Sequence, residues 1–177
     1  MEQILIIKAH AVSYEDINYI IPKDSRSMYE ISIFDPHVGK LAWHEESGQN
    51  YNSKIAAHDF LTAFKDLLSR IKDADVEEII VPIGNDALHI DNKHNTTTAG
   101  TPQDVDSRYQ QIFRRARQMY VEALELASTV APVRGIIVPG NHDEENIFYL
   151  GDSLEGWFSR NPNVTIDNEA KLTKYYK

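Results

Sequence analysis

Three short clusters of metal-compatible side chains stand out in this 177-residue chain. Asp35-Pro36-His37 follows an apolar run at residues 28–34. Gly84-Asn85-Asp86-Ala87-Leu88-His89 follows one at 77–83. Gly140-Asn141-His142-Asp143 follows one at 133–138. A carboxylate oxygen beside an imidazole nitrogen suits a borderline divalent ion such as manganese, iron or zinc. A carboxylate such as Asp86 can bridge two ions, and Asn141 offers a neutral oxygen that leaves the ion's charge uncancelled. Two ions about 3.5–4 Å apart can share a hydroxide and clamp a phosphoryl group for in-line attack. The plainer reading of the third cluster is an ordinary strand-to-helix turn, with Asn141 in the turn and Asp143 capping the helix. Each cluster alone is a weak signal; three in succession, each at a strand end, are a strong one.

The elements that must position these residues can be read from periodicity. Residues 28–34 alternate as a strand, so Asp35 and His37, two apart at its end, can point the same way. Residues 77–83 and 133–138 are apolar runs bounded by turn signals and read as buried strands. Residues 55–72 carry Ala57, Phe60, Leu61, Phe64, Leu67, Leu68 and Ile71 at helical spacing. Thr101-Pro102-Gln103-Asp104 has the pattern of a helix start, and that helix runs to about Ser128. A further helix follows the third cluster to about Phe158. Residues 44–54 read as an exposed loop, and 90–100 as a long polar loop that is either functional or mobile. Residues 2–7 read as a strand, and 163–167 with 171–176 as two strands or one hairpin. The alternation predicts an α/β fold: a mostly parallel central sheet covered by helices on both faces. In such sheets ligands bind at the carboxyl ends of the strands.

Composition narrows the function. The net charge of −9 argues against a basic nucleic-acid clamp, since each phosphate contact needs a cation. It leaves room for an enzyme acting on nucleic acid through bound metal, because metal ions reverse the local sign. The absence of cysteine removes disulfides and thiolate chemistry. No run is long and apolar enough for a membrane span, and the amino terminus lacks a signal-peptide pattern, so the expectation is a cytoplasmic protein with no membrane partner. Arg114-Arg115-Ala116-Arg117 reads as a solvated helix face, with nucleic-acid contact as the sharper alternative. His10, His44, His58 and His94 have no partner by spacing and read as surface or capping histidines.

The motifs resemble those of the calcineurin-like metallophosphoesterases: D-x-H, then G-D, then G-N-H-D or G-N-H-E, then a lone His, then G-H-x-H. Asp35-Pro36-His37, with Gly39 just beyond, matches the first motif, and Gly140-Asn141-His142-Asp143 matches the third. His89, three residues after Asp86, gives the nearest likeness to the DNA-repair exonuclease and phosphodiesterase branch. The resemblance implies the first part of a metallophosphoesterase α/β sandwich and a hydrolase with two divalent metal ions, manganese first, with iron or zinc as alternatives. It implies a phosphate-ester substrate, DNA in the nuclease case, and specifies no protein partner. Asp35 and His37 would bind the first ion, Asp86 would bridge, and Asn141 would bind the second. His142 would stabilise the transition state or protonate the leaving group, and His89 would orient the substrate, with a structural histidine as the plainer reading. Two departures stand against the pattern. Gly84-Asn85-Asp86 has one residue more than G-D, so Asn85 or Asp86 could face the ions. No histidine follows His142, so the late His and G-H-x-H are missing. The expectation is a domain at 29–177 that is incomplete at its carboxyl end, preceded by an extension at 1–28 outside the family pattern. As it stands the chain would be weak or inactive as an enzyme, and the alternative is a non-catalytic domain with a degenerate site that binds a partner.

Overall fold

The computed structural model describes residues 27–71, 75–171 and 173–174. The strand expected at 2–7 lies outside them, as do 172 and 175–176 of the last expected strand. The sheet has four strands, β1 (Ser27–Glu30), β2 (Val76–Gly84), β3 (Val133–Val138) and β4 (Val164–Asp167), in the order β1-β2-β3-β4. All three pairings are parallel. The helices are α1 (His44–Ser47), α2 (Ser53–Ser69), α3 (Tyr109–Ser128) and α4 (Glu144–Phe158). The α/β class with a parallel sheet flanked by helices is therefore present.

Strand order determines where the helices go. Each crossover moves one strand further in the same direction, and right-handed crossovers of that kind bring successive helices to one face. Phe60, Phe64 and Leu68 of α2, Ile112, Ala116 and Leu124 of α3, and Ile147, Leu150 and Leu154 of α4 share one core cluster with Ile79, Val81, Ile83 and Ile137 of the sheet. Among the described residues the three long helices pack with the same face. Ile80 and Ile136, which alternate with that set, are buried but lie outside the cluster. On their side Arg134 pairs with Glu78 at 2.9 Å.

Several boundaries shift for identifiable reasons. β1 stops at Glu30, although Ile31 N–H still donates to the Ile80 carbonyl at 2.9 Å. α2 begins at Ser53, because Asn52 Oδ1 accepts from the Lys54 and Ile55 amides at 2.9 and 3.0 Å. Asp106 adds a second cap from far along the chain, accepting from the Ser53 amide at 2.6 Å and its hydroxyl at 2.8 Å. The helix expected from Thr101 begins only at Tyr109. Residues 101–107 are held elsewhere: Pro102 bridges to Thr96, Val105 bridges to Lys40, and Asp106 caps α2. Tertiary partners outweigh the local start signal. Residues 44–54, expected as loop, contain the single turn of α1. β4 runs parallel beside β3, and residues 171, 173 and 174 form no strand, so the described part holds no hairpin.

Candidate metal centre

The site is assembled where β2 and β3 end side by side, with Gly84 paired to Val138. At Gly84 (φ +128°) a Cβ would stand 1.9 Å from the Val138 carbonyl oxygen, so no other residue fits between these strand ends. Asn85 and Asp86 follow with φ of 47° and 68°. Left-handed backbone is tolerated by Asn and Asp better than by other side chains. The turn lays the next residues against the segment after β1. Asp35 N–H donates to the Asn85 carbonyl (3.2 Å), His37 N–H to Asp86 (3.1 Å) and Val38 N–H to Ala87 (2.9 Å), while His89 N–H donates back to Val38 (3.1 Å).

Asp35 and His37 are also left-handed, with φ of 56° and 39°. This corrects the expectation that they extend a strand and point the same way by alternation. They lie beyond β1, and two residues of positive φ turn them toward Asp86. Among the described residues only Asn95 shares that conformation outside the site without being glycine. Strain of this kind persists where surrounding contacts over-determine it.

Two overlapping donor groups result. Asp35, His37 and Asp86 each bring one ligand atom to within 4.8 Å of the other two, and so do His37, His89 and His142. The Asp86 carboxylate, in a residue only 8% exposed, stands with Asp35 and His37. Asp86 Oδ1 accepts from the His142 amide at 2.8 Å. Gly140 makes that approach possible, because a Cβ there would lie 2.2 Å from Asp86 Oδ1 and 2.3 Å from Asp86 N.

The imidazoles touch one another. Ring centroids are 5.2 Å apart for His37 and His89, 4.7 Å for His37 and His142, and 5.3 Å for His89 and His142. His37 Nε2 is 3.8 Å from Asp35 Oδ1, and its Nδ1 is 3.3 Å from His89 Nδ1. Burial, then the neighbouring His142, holds the His37 pKa below its ordinary 6.5, against the pull of Asp86 and Asp35. Burial, then His37 and His142, pushes His89 down to about 4. Both rings are therefore neutral near pH 7, the form that binds cations. His142 Nδ1 is 2.9 Å from the His89 carbonyl; since a carbonyl only accepts, that nitrogen carries the proton and Nε2 keeps the lone pair.

Beneath the donors lie two carboxylates that sequence reasoning assigned otherwise or missed. Asp143 occupies the cap position of α4 but makes no side-chain cap bond, so the capping reading is corrected. Its fully buried carboxylate accepts from the Leu88 amide at 3.0 Å and the Gly140 amide at 3.1 Å, tying the second cluster to the third. Burial raises its pKa to about 7, opposed by the Leu88 hydrogen bond. Asp91 caps α4 instead, accepting from the Asn146 amide at 2.8 Å and the Glu145 amide at 3.1 Å. Thr98 Oγ1 donates to it at 2.8 Å, so the polar loop at 90–100 is pinned to the site. Asp143 was visible in the G-N-H-D run, but no spacing rule reaches from Asp91 to its partners.

Asn141 directly precedes His142 and is exposed; its carbonyl accepts from the Thr98 amide at 3.3 Å. His44, His58 and His94 are exposed, and His10 lies outside the described residues. Arg117 packs over Trp157 at 5.6 Å from the ring centroid, so part of the arginine run is committed to packing. An open pocket of about 450 Å³ adjoins the donors, lined by Asp35, His37, Lys40, Gln49 and Tyr51 among others. Oxygen and neutral nitrogen donors converging against a glycine that admits no Cβ fit a divalent cation, so these groups could hold a metal ion. No helix among the described residues is long and apolar enough to cross a membrane. No family model, curated protein or solved structure matches the chain.

Proposed function

We propose that this chain is a metal-dependent phosphoesterase of the calcineurin-like type, acting on phosphodiesters, DNA among them. The observation that supports this most is the convergence of Asp35, His37 and Asp86 from two separate strand ends, with His89 and His142 alongside. In this reading Asp35, His37 and Asp86 hold one divalent ion, manganese first, and Asp86 with Asn141 holds a second. Such ions supply a Lewis acid for the phosphoryl oxygens and a nucleophile from water at neutral pH.

The remaining chemistry belongs to the chain. His142 is fixed by its Nδ1–H bond to the His89 carbonyl, so Nε2 is the nitrogen that takes up a proton from water and would then pass it to the leaving oxygen. His89, neutral near pH 7, orients the substrate by hydrogen bonding rather than donating a charge-bearing proton. Lys40, exposed on the pocket wall, offers a cation to the anionic ester in a chain of net charge −9.

The test is hydrolysis of bis-p-nitrophenyl phosphate by the 177-residue chain with manganese. Turnover is expected to be slow, because the second position rests on few side chains, and to vanish with a chelator. His142→Ala should cut turnover by roughly 10²–10⁴-fold with manganese content unchanged. Asp86→Ala should lose both. Absence of turnover above the manganese blank, with iron and zinc also inert, would overturn the proposal and leave a metal-binding module.

A further inference from the structure

The geometry points to a second, nitrogen-only cation position on His37, His89 and His142, which takes a zinc-class ion and excludes the ion on the carboxylate side because both need His37. The inference is independent of any phosphoesterase activity. It starts from the two edges of one ring. Nε2 of His37 faces the Asp35 carboxylate at 3.8 Å, whereas Nδ1 faces His89 Nδ1 at 3.3 Å. A neutral imidazole has one lone-pair nitrogen. With the proton on Nδ1, the ring serves Asp35 and Asp86. With the proton on Nε2, it serves His89 and His142. The ring's tautomer therefore decides which ion the site holds.

The spacing on the imidazole side suits zinc. Bonds of 2.0–2.1 Å at tetrahedral angles put ligand nitrogens about 3.3–3.4 Å apart. His37 Nδ1 and His89 Nδ1 already stand at 3.3 Å. His142 has its proton committed to the His89 carbonyl at 2.9 Å, an arrangement that orients metal-bound histidines elsewhere and leaves Nε2 free. One nitrogen from each ring lies within 4.8 Å of the others, so the three rings can converge on one ion that keeps a water in its fourth position. Three imidazoles without a carboxylate favour zinc over manganese, whose preference is for oxygen. Zinc there would also occupy the two histidines that stand free beside the carboxylate-side ion.

The experiment is calorimetric titration of the full chain with zinc chloride and, separately, manganese chloride, in each case with and without the other ion. His89→Ala and His142→Ala, made singly, should weaken zinc by more than the 10–100-fold that loss of an outer-sphere partner costs and leave manganese within a few-fold. Asp35→Asn should do the reverse. Pre-bound zinc should lower manganese affinity in wild type but not in His142→Ala. Circular dichroism checks each fold, and should buried His89 prove indispensable to folding, the half-buried His142 variant decides. Zinc affinity that follows Asp35→Asn instead of the histidine variants, or zinc and manganese binding together without mutual effect, would overturn the inference. Hydrolysis is not read in any arm, so failure of the phosphoesterase proposal registers separately.

Discussion

Replacing Gly140 by Ala should damage fold and site together, by an amount that the geometry sets. The new Cβ would stand 2.2 Å from Asp86 Oδ1, 2.3 Å from Asp86 N and 2.9 Å from Asp143 Oδ1. Rotation of a side chain cannot relieve contact with a backbone nitrogen, so the turn after β2 must move by about 1 Å to reach an ordinary contact distance, and overpacking of that kind costs about 1–3 kcal/mol. The same movement breaks the 2.8 Å bond from the His142 amide to Asp86 Oδ1. A hydrogen bond to a charged group is worth about 1.5–3 kcal/mol, so the combined loss is about 2.5–6 kcal/mol. Gly100→Ala is the control: its φ is +87° and its Cβ would meet nothing within 4 Å. It should cost only the roughly 1–2 kcal/mol of left-handed backbone. Urea unfolding in chelator gives the stabilities, and manganese titration gives the site. Gly140→Ala should lose at least tenfold in manganese affinity, and Gly100→Ala should lose none. A Gly140→Ala protein within about 1 kcal/mol of wild type, binding manganese as before, would refute the packing of the β3 turn on Asp86.

Three further outcomes are expected. In chelator, stability should fall with acid as His89 titrates against His37, His142 and Lys40. Its folded value of about 4 lies below the ordinary 6.5, so the stabilisation is full above pH 6.5, declines as pH falls toward 4 and is absent below. Between pH 7 and 4.5 the loss corresponds to about 2.4 kcal/mol; unfolding free energies from urea curves at these two pH values should differ by that much more in wild type than in His89→Gln, and equal differences would contradict it. Asp91→Ala should cost about 1–2 kcal/mol by uncapping α4, read by thermal melting, and an unchanged melting temperature would count against the cap. Manganese titration of wild type should give one tighter and one weaker site, since Asp35, His37 and Asp86 serve the first while the second keeps mainly Asp86 and Asn141; two equally tight sites would contradict the assignment.

Much of the fold was legible because burial leaves a pattern. β2 and β3 are rich in Ile and Val, and α2 and α4 keep helical spacing on one face. What was not legible depends on residues distant in sequence. Nothing near Thr101 announces that Asp106 will cap α2, so the local helix signal misled by seven residues, from a cap at Thr101 to one at Arg108. Alternation alone does not give strand order, and the order β1-β2-β3-β4 is what gathers the three described long helices on one side. The site residues were visible as three clusters, and two metal-compatible groups do form from them. The route differs: Asp35 and His37 converge on Asp86 through positive φ rather than strand alternation. The clustering of His37 with His89 and His142 was missed because each histidine had already been given a separate role by resemblance. Asp143 was read as a cap, although its carboxylate turns inward to the Leu88 and Gly140 amides.

The most direct test of the metal centre is anomalous diffraction from crystals of the chain soaked in manganese chloride, recorded on both sides of the manganese absorption edge. The account predicts a strong anomalous peak within coordinating distance of Asp35, His37 and Asp86, absent in crystals of Asp86→Ala. Manganese bound at other residues, with no anomalous density among these three side chains, would contradict it.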